Sequence, residues 1–421
     1  MKTLLFCSKL KGVYDSYDSP LFGVGAEKYM TGGKSVKFFH LSDLHIGKQL
    51  HHYNMGSEQR AIFAEIVEIA KTQCPDAVIL AGDIYDGPVP SAEAVSILDD
   101  FLTALCEIEP QIAILIIAGN HDSAKRLDFA SSILAKHNVY IAGLPPMRPE
   151  EYIKCVTLED SYGAVDFYLL PFVKPAYVRN LFDEDSISYD GAVKGLIERE
   201  TIDENRRNVI VSHQFYTAGN SEPCTCESEV RLVGGIENVD VSALAPFEYA
   251  ALGHIHRSQK MGKETYRYCG TPLQYSVSEA GETKSITVVE LGEKGSEPKI
   301  EQIPLMPQRA VRKLTGTLEE ILAGATEDMC HDFVSITLTD EVEAYQPKER
   351  LEERFDHILE IRVDNARTRK LLELSGEEQE SLDPYEAFCT FFAEMNGREM
   401  TEQEDALMRQ VIVQELEGGM A

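Results

Sequence analysis

A chain of 421 residues with 43% hydrophobic and 26% charged residues can bury the cores of two or three domains, and it has no apolar run of about 18 residues, which excludes a membrane-spanning helix. The opening MKTLLFC is too short for a secretory signal, and nine cysteines without a regular framework argue against a disulfide scaffold, so a cytoplasmic protein with reduced thiols is expected. The net charge of −30 argues against autonomous binding of long polyanions, which would need local basic patches, bound metals or a partner subunit.

Residues 1 to 35 hold Gly23, Gly25, Gly32 and Gly33 with little periodicity and are expected to be a poorly ordered leader; the expected natural start is Val36, a residue an alternative start codon can encode. From 36 to 304 short apolar runs recur, each followed by a polar or glycine-containing turn and then usually by an amphipathic helix. The runs are VKFFHL, DAVILAGD, IAILIIAGN, NVIVSHQ and YAALGH. Ser57 is placed as the cap of a first helix with Ile62, Phe63, Ile66, Val67 and Ala70 on one face, ending before Pro75. A second helix is expected around Ser91 to Glu107 and a third around Ser123 to Lys136. Such alternation predicts a layered α/β core with buried strands.

Residues 305 to 365 read strand, helix, strand, helix, strand (RKLTG, LEEILAGA, FVSITLTD, KERLEERF, ILEIRVD), a small α+β domain. A polar linker over 366 to 382 leads to 383 to 421, where Asp383, Pro384 and Glu386 open a helix carrying Phe388, Phe391, Phe392 and Met395 on one face. Asn396 and Gly397 stop it, and Thr401 with Glu404 forms a capping box for a final helix, completing a C-terminal helical hairpin. Acid is concentrated here: residues 341 to 421 carry nine Lys and Arg against 21 Asp and Glu, so the tail contributes more than its share of the negative charge.

Five motifs place potential metal ligands at the C-terminal ends of apolar strands, where an open α/β sheet presents its binding crevice. They are D-x-H (Asp43, His45), G-D (Gly82, Asp83), G-N-H-D (Gly119, Asn120, His121, Asp122), S-H (Ser212, His213) and G-H-x-H (Gly253, His254, His256). Each alone is an ordinary turn signal; together, in order and each behind its own strand, they point to a site. Four imidazoles and an amide are neutral and two carboxylates are anionic, so two divalent cations would leave the pocket at about +2, attractive to a phosphodiester. Nitrogen-rich ligation without cysteine argues against magnesium and leaves manganese, iron or zinc open. Cys224 and Cys226 form a lone C-x-C in a polar loop, which without a second pair is a weak zinc signal.

Among the other histidines, His40 lies inside the first strand and reads as a core or supporting residue, while His137, His331 and His357 read as surface or cap residues. His51 and His52 follow the first motif closely enough to reach substrate, His52 being the candidate for contact, with plain loop residues as the competing explanation. Arg60, Lys125 and Arg126 are candidates for phosphate contact, with a solvated helix face as the competing explanation.

The motif set resembles the calcineurin-like metallophosphoesterase superfamily, which carries the same five motifs in the same order. The resemblance implies a four-layer α/β/β/α sandwich, with Asp43, His45 and His256 on one metal, Asn120, His213 and His254 on the other, Asp83 bridging both, and His121 standing over the site as the catalytic residue. The runs KFFHLSDLHIGKQL, AGDIYD, IAGNHDSAKRLDFA, ALGHIHRSQ and YCGTPLQYSVSEA further resemble the SbcD family of bacterial nuclease subunits over roughly residues 36 to 421. That resemblance implies two manganese ions and two-metal hydrolysis of DNA in repair, recombination and replication. It also implies ATP-dependent 3'-5' exonuclease action on duplex ends and endonuclease action on single strands and hairpins. The implied assembly pairs two nuclease subunits with two copies of the ATPase SbcC. The Phe-rich tail helix suits docking on SbcC, with packing on its own domain as the alternative, and the small domain is expected to cap the active site. A phosphatase of the same fold acting on small molecules or phosphoproteins is the rival reading; the 120 or so residues beyond the catalytic core speak against it. A non-catalytic scaffold would have no use for seven ligands and His121.

Overall fold

Each of the five apolar runs forms a strand, nearly all of it buried, as a strand covered on both faces requires. The computed structural model describes residues 28–30, 35–182, 187–219, 221–229, 237–342 and 345–366, with scattered positions between 389 and 408. Two compact units divide it: Met1–Arg312 with His331–Phe333, and Lys313–Cys330 with Val334–Ala421.

In the first unit the elements run β1 (Val36–Leu41), α1 (Gly56–Gln73), β2 (Ala77–Ala81), α2 (Ala92–Cys106), β3 (Ala113–Ile117) and β4 (Val139–Ala142). There follow β5 (Lys154–Asp160), β6 (Gly163–Leu170), α3 (Tyr189–Glu198), β7 (Arg207–His213), β8 (Tyr249–Gly253), β9 (Gln259–Met261), β10 (Lys263–Tyr268), β11 (Ser285–Leu291) and β12 (Lys299–Pro304). One sheet has the order β12-β11-β1-β2-β3-β4, with β1 to β4 parallel and β11 antiparallel to both its neighbours. The other carries β5-β6-β7-β8-β10-β9, with a strand Lys28–Met30 outside β5 and the run from β6 through β7 and β8 to β10 parallel.

The two sheets face each other across a shared core in which Phe38, Ile79 and Leu115 of the first meet Phe167, Val211 and Tyr249 of the second. The Phe38 ring sits 5.4 Å from Phe167 and 5.5 Å from Tyr249, both edge-on, the arrangement aromatic quadrupoles favour. On the far face of the second sheet, α3 buries Ala192, Val193, Leu196 and Ile197 against Tyr168, Ile210 and Leu252. The crossover helices α1 and α2 of the first sheet stack Phe63 on Phe101 at 4.7 Å. The layering is therefore helix, sheet, sheet, helix, an α/β sandwich.

The helices depart from the sequence reading in places. In α1 the expected positions Ile62, Phe63, Ile66, Val67 and Ala70 are buried, but Ser57 is inside the first turn rather than its cap. The cap acceptor comes instead from Asn54, whose Oδ1 takes the Gly56 N–H at 2.7 Å. The second helix forms where expected, with Ser91 as its cap accepting from Ala94 N. The third helix breaks into Ala124–Leu127, Ser131–Leu134 and a 3-10 turn Ala135–His137, because Ala130 takes a left-handed φ of 61° that no helix can pass through. Within the expected leader, Lys28–Met30 is an ordered strand, paired parallel with β5 from Lys28–Thr157 to Met30–Glu159.

The second unit holds a three-stranded sheet of Val311–Gly316, Phe333–Leu338 and His357–Val363, in that order, with helices Leu318–Gly324, Glu327–His331 and Pro347–Glu352. Leu318, Ile321, Val334, Ile336, Leu351 and Phe355 make its core. Thr317 and Glu320 form a reciprocal capping box at the first helix. The expected linker and helical hairpin lie outside the described residues, apart from scattered positions. No helix among the described residues is long and apolar enough to cross a membrane.

Candidate metal centre

The five motifs meet because they lie at corresponding ends of parallel strands in two facing sheets. β1, β2 and β3 deliver Asp43, His45, Asp83, Asn120 and His121 from one sheet; β7 and β8 deliver His213, His254 and His256 from the other. Glycine lets these ends close up: a Cβ on Gly253 would lie 1.9 Å from the Ala81 carbonyl oxygen, and one on Gly119 would lie 2.1 Å from Asp83 Oδ1. Four of the converging residues have left-handed backbones, Asp43 (φ 52°), His45 (43°), Asp83 (49°) and His254 (98°). Conformations of this kind cost roughly 1–3 kcal/mol each and persist where the surroundings enforce them, characteristically at functional sites.

Two groups of three donors form side by side. Asp43, His45 and His256 place ligand atoms within 4.8 Å of one another, and so do Asp83, His213 and His254. Asn120 joins the second group, its Oδ1 lying 3.1 Å from His213 Nε2 and 2.9 Å from His254 Nδ1. Asp83 Oδ2 reaches both groups, 3.3 Å from His213 Nε2 and 3.7 Å from His45 Nε2. The donor chemistry fits divalent cations: His45 Nε2 and His256 Nε2 face each other at 3.1 Å, while His45 Nδ1 turns to Asp86 Oδ1 at 3.3 Å. His213 donates Nδ1–H to the Ala81 carbonyl at 2.7 Å, which leaves the Nε2 lone pair directed at the group.

Charge in this buried cluster is coupled. Burial alone would keep His213 neutral, yet Asp83 beside it lifts its pKa to about 9, and His213 holds the Asp83 carboxyl far below the usual range against its own burial. Burial pushes Asp43 up, partly offset by His213. Burial, with the neighbouring imidazoles, drives His254 down to about 3 and His256 well below its ordinary value, so these two present neutral lone pairs. His121 stands beside the cluster, its ring centroid 4.9 Å from that of His45. Its backbone N–H donates to Asp83 Oδ1 at 2.9 Å and its Nδ1 meets the Asp86 carbonyl at 3.0 Å.

The structure thus brings together Asp43, His45, Asp83, Asn120, His121, His213, His254 and His256. It does not bring Arg60 with them: its guanidinium pairs with Asp100 of α2 at 2.5 Å. His52 is exposed, its ring tilted against that of Tyr53 at 4.1 Å, and Lys125 and Arg126 are exposed on the short helix after the third motif. His40 is a buried supporting residue, meeting the Tyr249 hydroxyl at 3.0 Å and the Leu252 carbonyl at 3.2 Å.

Several supporting residues carried no assignment in the sequence reading. Asp122 accepts from Ile84 N, Tyr85 N and Gly119 N at 2.9–3.0 Å and so ties the G-N-H-D loop to the G-D loop. Its place in the motif was the available signal. Gln59 donates to the His45 carbonyl at 2.8 Å, and the Tyr275 hydroxyl to the Leu44 carbonyl. The run YCGTPLQYS wraps beneath G-H-x-H: Thr271 N donates to the His256 carbonyl, and the Tyr268 hydroxyl donates to the Gln214 carbonyl while accepting from Tyr216 N. A further group, Cys226, Glu229 and His256, has ligand atoms within 4.8 Å. Glu229 is already committed to the Cys226 and His256 backbone N–H groups, so it reads as a loop clamp.

Comparison with known proteins adds the following. The calcineurin-like phosphoesterase family model matches residues 36–258. A second model, described as the type 5 capsule protein repressor C-terminal domain, matches residues 307–396. The D component of the nuclease SbcCD from Staphylococcus epidermidis is 30% identical over 291 residues, 68% of this chain and 74% of that one. Its namesake in Staphylococcus saprophyticus is 27% identical over 390 residues, 91% of this chain and 100% of that one. Among solved structures, a dimetal phosphatase from Danio rerio aligns with a TM-score of 0.36 at 15% identity, covering 63% of this chain and 98% of its own, too distant a likeness to argue from.

Proposed function

Because this chain belongs to the calcineurin-like phosphoesterase family, and within it to the SbcD nucleases, we propose that it is the component that hydrolyses DNA phosphodiesters in an assembly with an SbcC-type ATPase. It is a metal-dependent hydrolase acting on phosphodiester bonds. The observation that carries the finer reading is the pair of adjoining three-donor groups with Asp83 between them. Asp43, His45 and His256 would hold one divalent cation, Asn120, His213 and His254 the other, and Asp83 both; we propose manganese for each. When bound, the cations supply Lewis acidity and positive charge to the phosphorus centre.

The protein's own residues do the rest. The main-chain bond from His121 N to Asp83 Oδ1 fixes the shared carboxylate. With the Nδ1–H of His121 given to the Asp86 carbonyl, Nε2 is the nitrogen that would pass a proton to the leaving oxygen, the ring entering the step as imidazolium and leaving it as the neutral Nδ1–H form. Gln59 and Tyr275 pin the main chain on either side of His45 and so keep its ring over the site.

We propose ATP-dependent 3'-5' exonuclease action on duplex ends and endonuclease action on single strands and hairpins, in repair, recombination and replication. Two copies of this chain would join two of the ATPase, docked through residues 383 to 421. A partner that grips the duplex answers the net charge of −30, which by itself repels it. The test combines the purified chain, manganese, ATP and the ATPase, with a hairpin DNA, a linear duplex and a phosphomonoester offered in parallel. Hairpin opening and ATP-dependent loss of duplex ends are expected. Phosphate release from the monoester with the hairpin left whole would assign the chain to the phosphatases instead.

A further inference from the structure

We propose that Ser228 is a positioning residue for the metal centre: held by Glu279, its hydroxyl fixes His256 in the tautomer that turns the Nε2 lone pair toward the cation. This rests on the metal reading above. Ser228 Oγ has three partners, His256 Nδ1 at 2.8 Å, Glu279 Oε1 at 3.0 Å and Cys226 Sγ at 3.0 Å. A hydroxyl has one proton to give and two lone pairs to receive with, so identifying the partner that can only accept settles the rest.

That partner is Glu279. It is fully buried, ion-paired with Lys284 Nζ at 2.6 Å, and receives further hydrogen bonds from Ser276 Oγ at 2.9 Å, Thr271 Oγ1 at 3.3 Å and Tyr275 N at 3.3 Å. A carboxylate so surrounded takes the Ser228 proton. The Ser228 oxygen then receives Nδ1–H from His256 and the thiol proton from Cys226, and all three partners are satisfied. With the proton on Nδ1, the His256 Nε2 is a bare lone pair, 3.1 Å from His45 Nε2 and in the donor group with Asp43. Carboxylate, hydroxyl and imidazole form a supporting chain of the kind that orients histidine ligands.

His256 is gripped elsewhere too. Its backbone N–H donates to Glu229 Oε1 at 2.6 Å and its carbonyl accepts from Lys284 Nζ at 3.1 Å. These contacts fix where the residue is and leave the ring free to choose a tautomer, which is the choice Ser228 makes. His213, in contrast, takes its tautomer from the main-chain carbonyl of Ala81, which no substitution there removes. Ser228 is therefore a lever on one donor group and not on the other.

The test uses the full chain freed of metal, as wild type, Ser228→Ala and Ser228→Thr, each with its melting temperature recorded. Manganese is titrated into each, and the protonated imidazole nitrogens are located by nitrogen NMR before metal is added. In Ser228→Ala one cation should bind roughly 10- to 100-fold more weakly, the other should be unchanged, and the Nδ1–H of His256 should no longer be fixed. Ser228→Thr, which keeps the hydroxyl, should restore both readings. Wild-type affinity for both cations in Ser228→Ala, with the His256 Nδ1 proton still in place, overturns the proposal. A wild type that takes up no manganese defeats the metal reading instead, and the metal-free NMR comparison still decides whether Ser228 sets the tautomer.

Discussion

His121 lies outside the two adjoining donor groups and shares a third with His45 and Asp86, so it is the residue expected to separate holding a cation from using one. His121→Ala is expected to leave two cations per chain by elemental analysis while DNA cleavage falls by roughly 100- to 10,000-fold, the usual worth of a proton donor. Loss of metal along with activity would make it a ligand. The convergence of these residues was legible because five short motifs share an order and a position behind strands, a pattern that survives any detail of side-chain packing. The supporting residues were not. Ser228 sits in a polar loop whose one visible feature was the C-x-C beside it, and its partner Glu279 lies 51 residues away, so only the folded chain shows them meeting. Arg60, named as a candidate for phosphate contact with a solvated helix face as the competing explanation, pairs with Asp100, 40 residues on, a partner that local sequence does not announce.

At the scale of elements, the strands behind the motifs were read correctly because burial on both faces makes them continuous apolar runs, while a helix fails wherever one residue leaves the helical basin. Ala130 did this in the third helix, where nothing in its neighbours' composition announces a left-handed turn. The strand Lys28–Met30 was missed for a different reason: it pairs with a strand some 130 residues later, a contact that local periodicity does not encode. Close approach of elements also gives a prediction. Gly253→Ala places a methyl group where the Ala81 carbonyl oxygen lies, and β8 and β2 must part to admit it. Manganese binding should weaken and the metal-free melting temperature should fall; a variant that keeps wild-type affinity would mean the strand ends are looser than this geometry. A cavity at Phe38, whose ring joins the sheets, should cost about 3–5 kcal/mol in Phe38→Ala by denaturant unfolding, with the donor groups still able to take up metal once folded.

For the whole molecule the charge is the feature to explain. A chain of −30 that acts on DNA needs its substrate delivered, and the acidic end of the sequence is where we place the deliverer's grip. Truncation at residue 380 should abolish co-purification with the ATPase while leaving manganese-dependent cutting of single strands within a few-fold of the full chain. Retained co-purification would move the docking surface to another part of the chain.

The proposed cation donors come from both sheets, so bound cations would act as a clasp between the two sheets. Forces that spread the two sheets there should disarm the centre before the core melts. Hydrogen exchange would show it: a chelator should quicken exchange at the ends of β2 and β7 together, and re-added manganese should slow both in step.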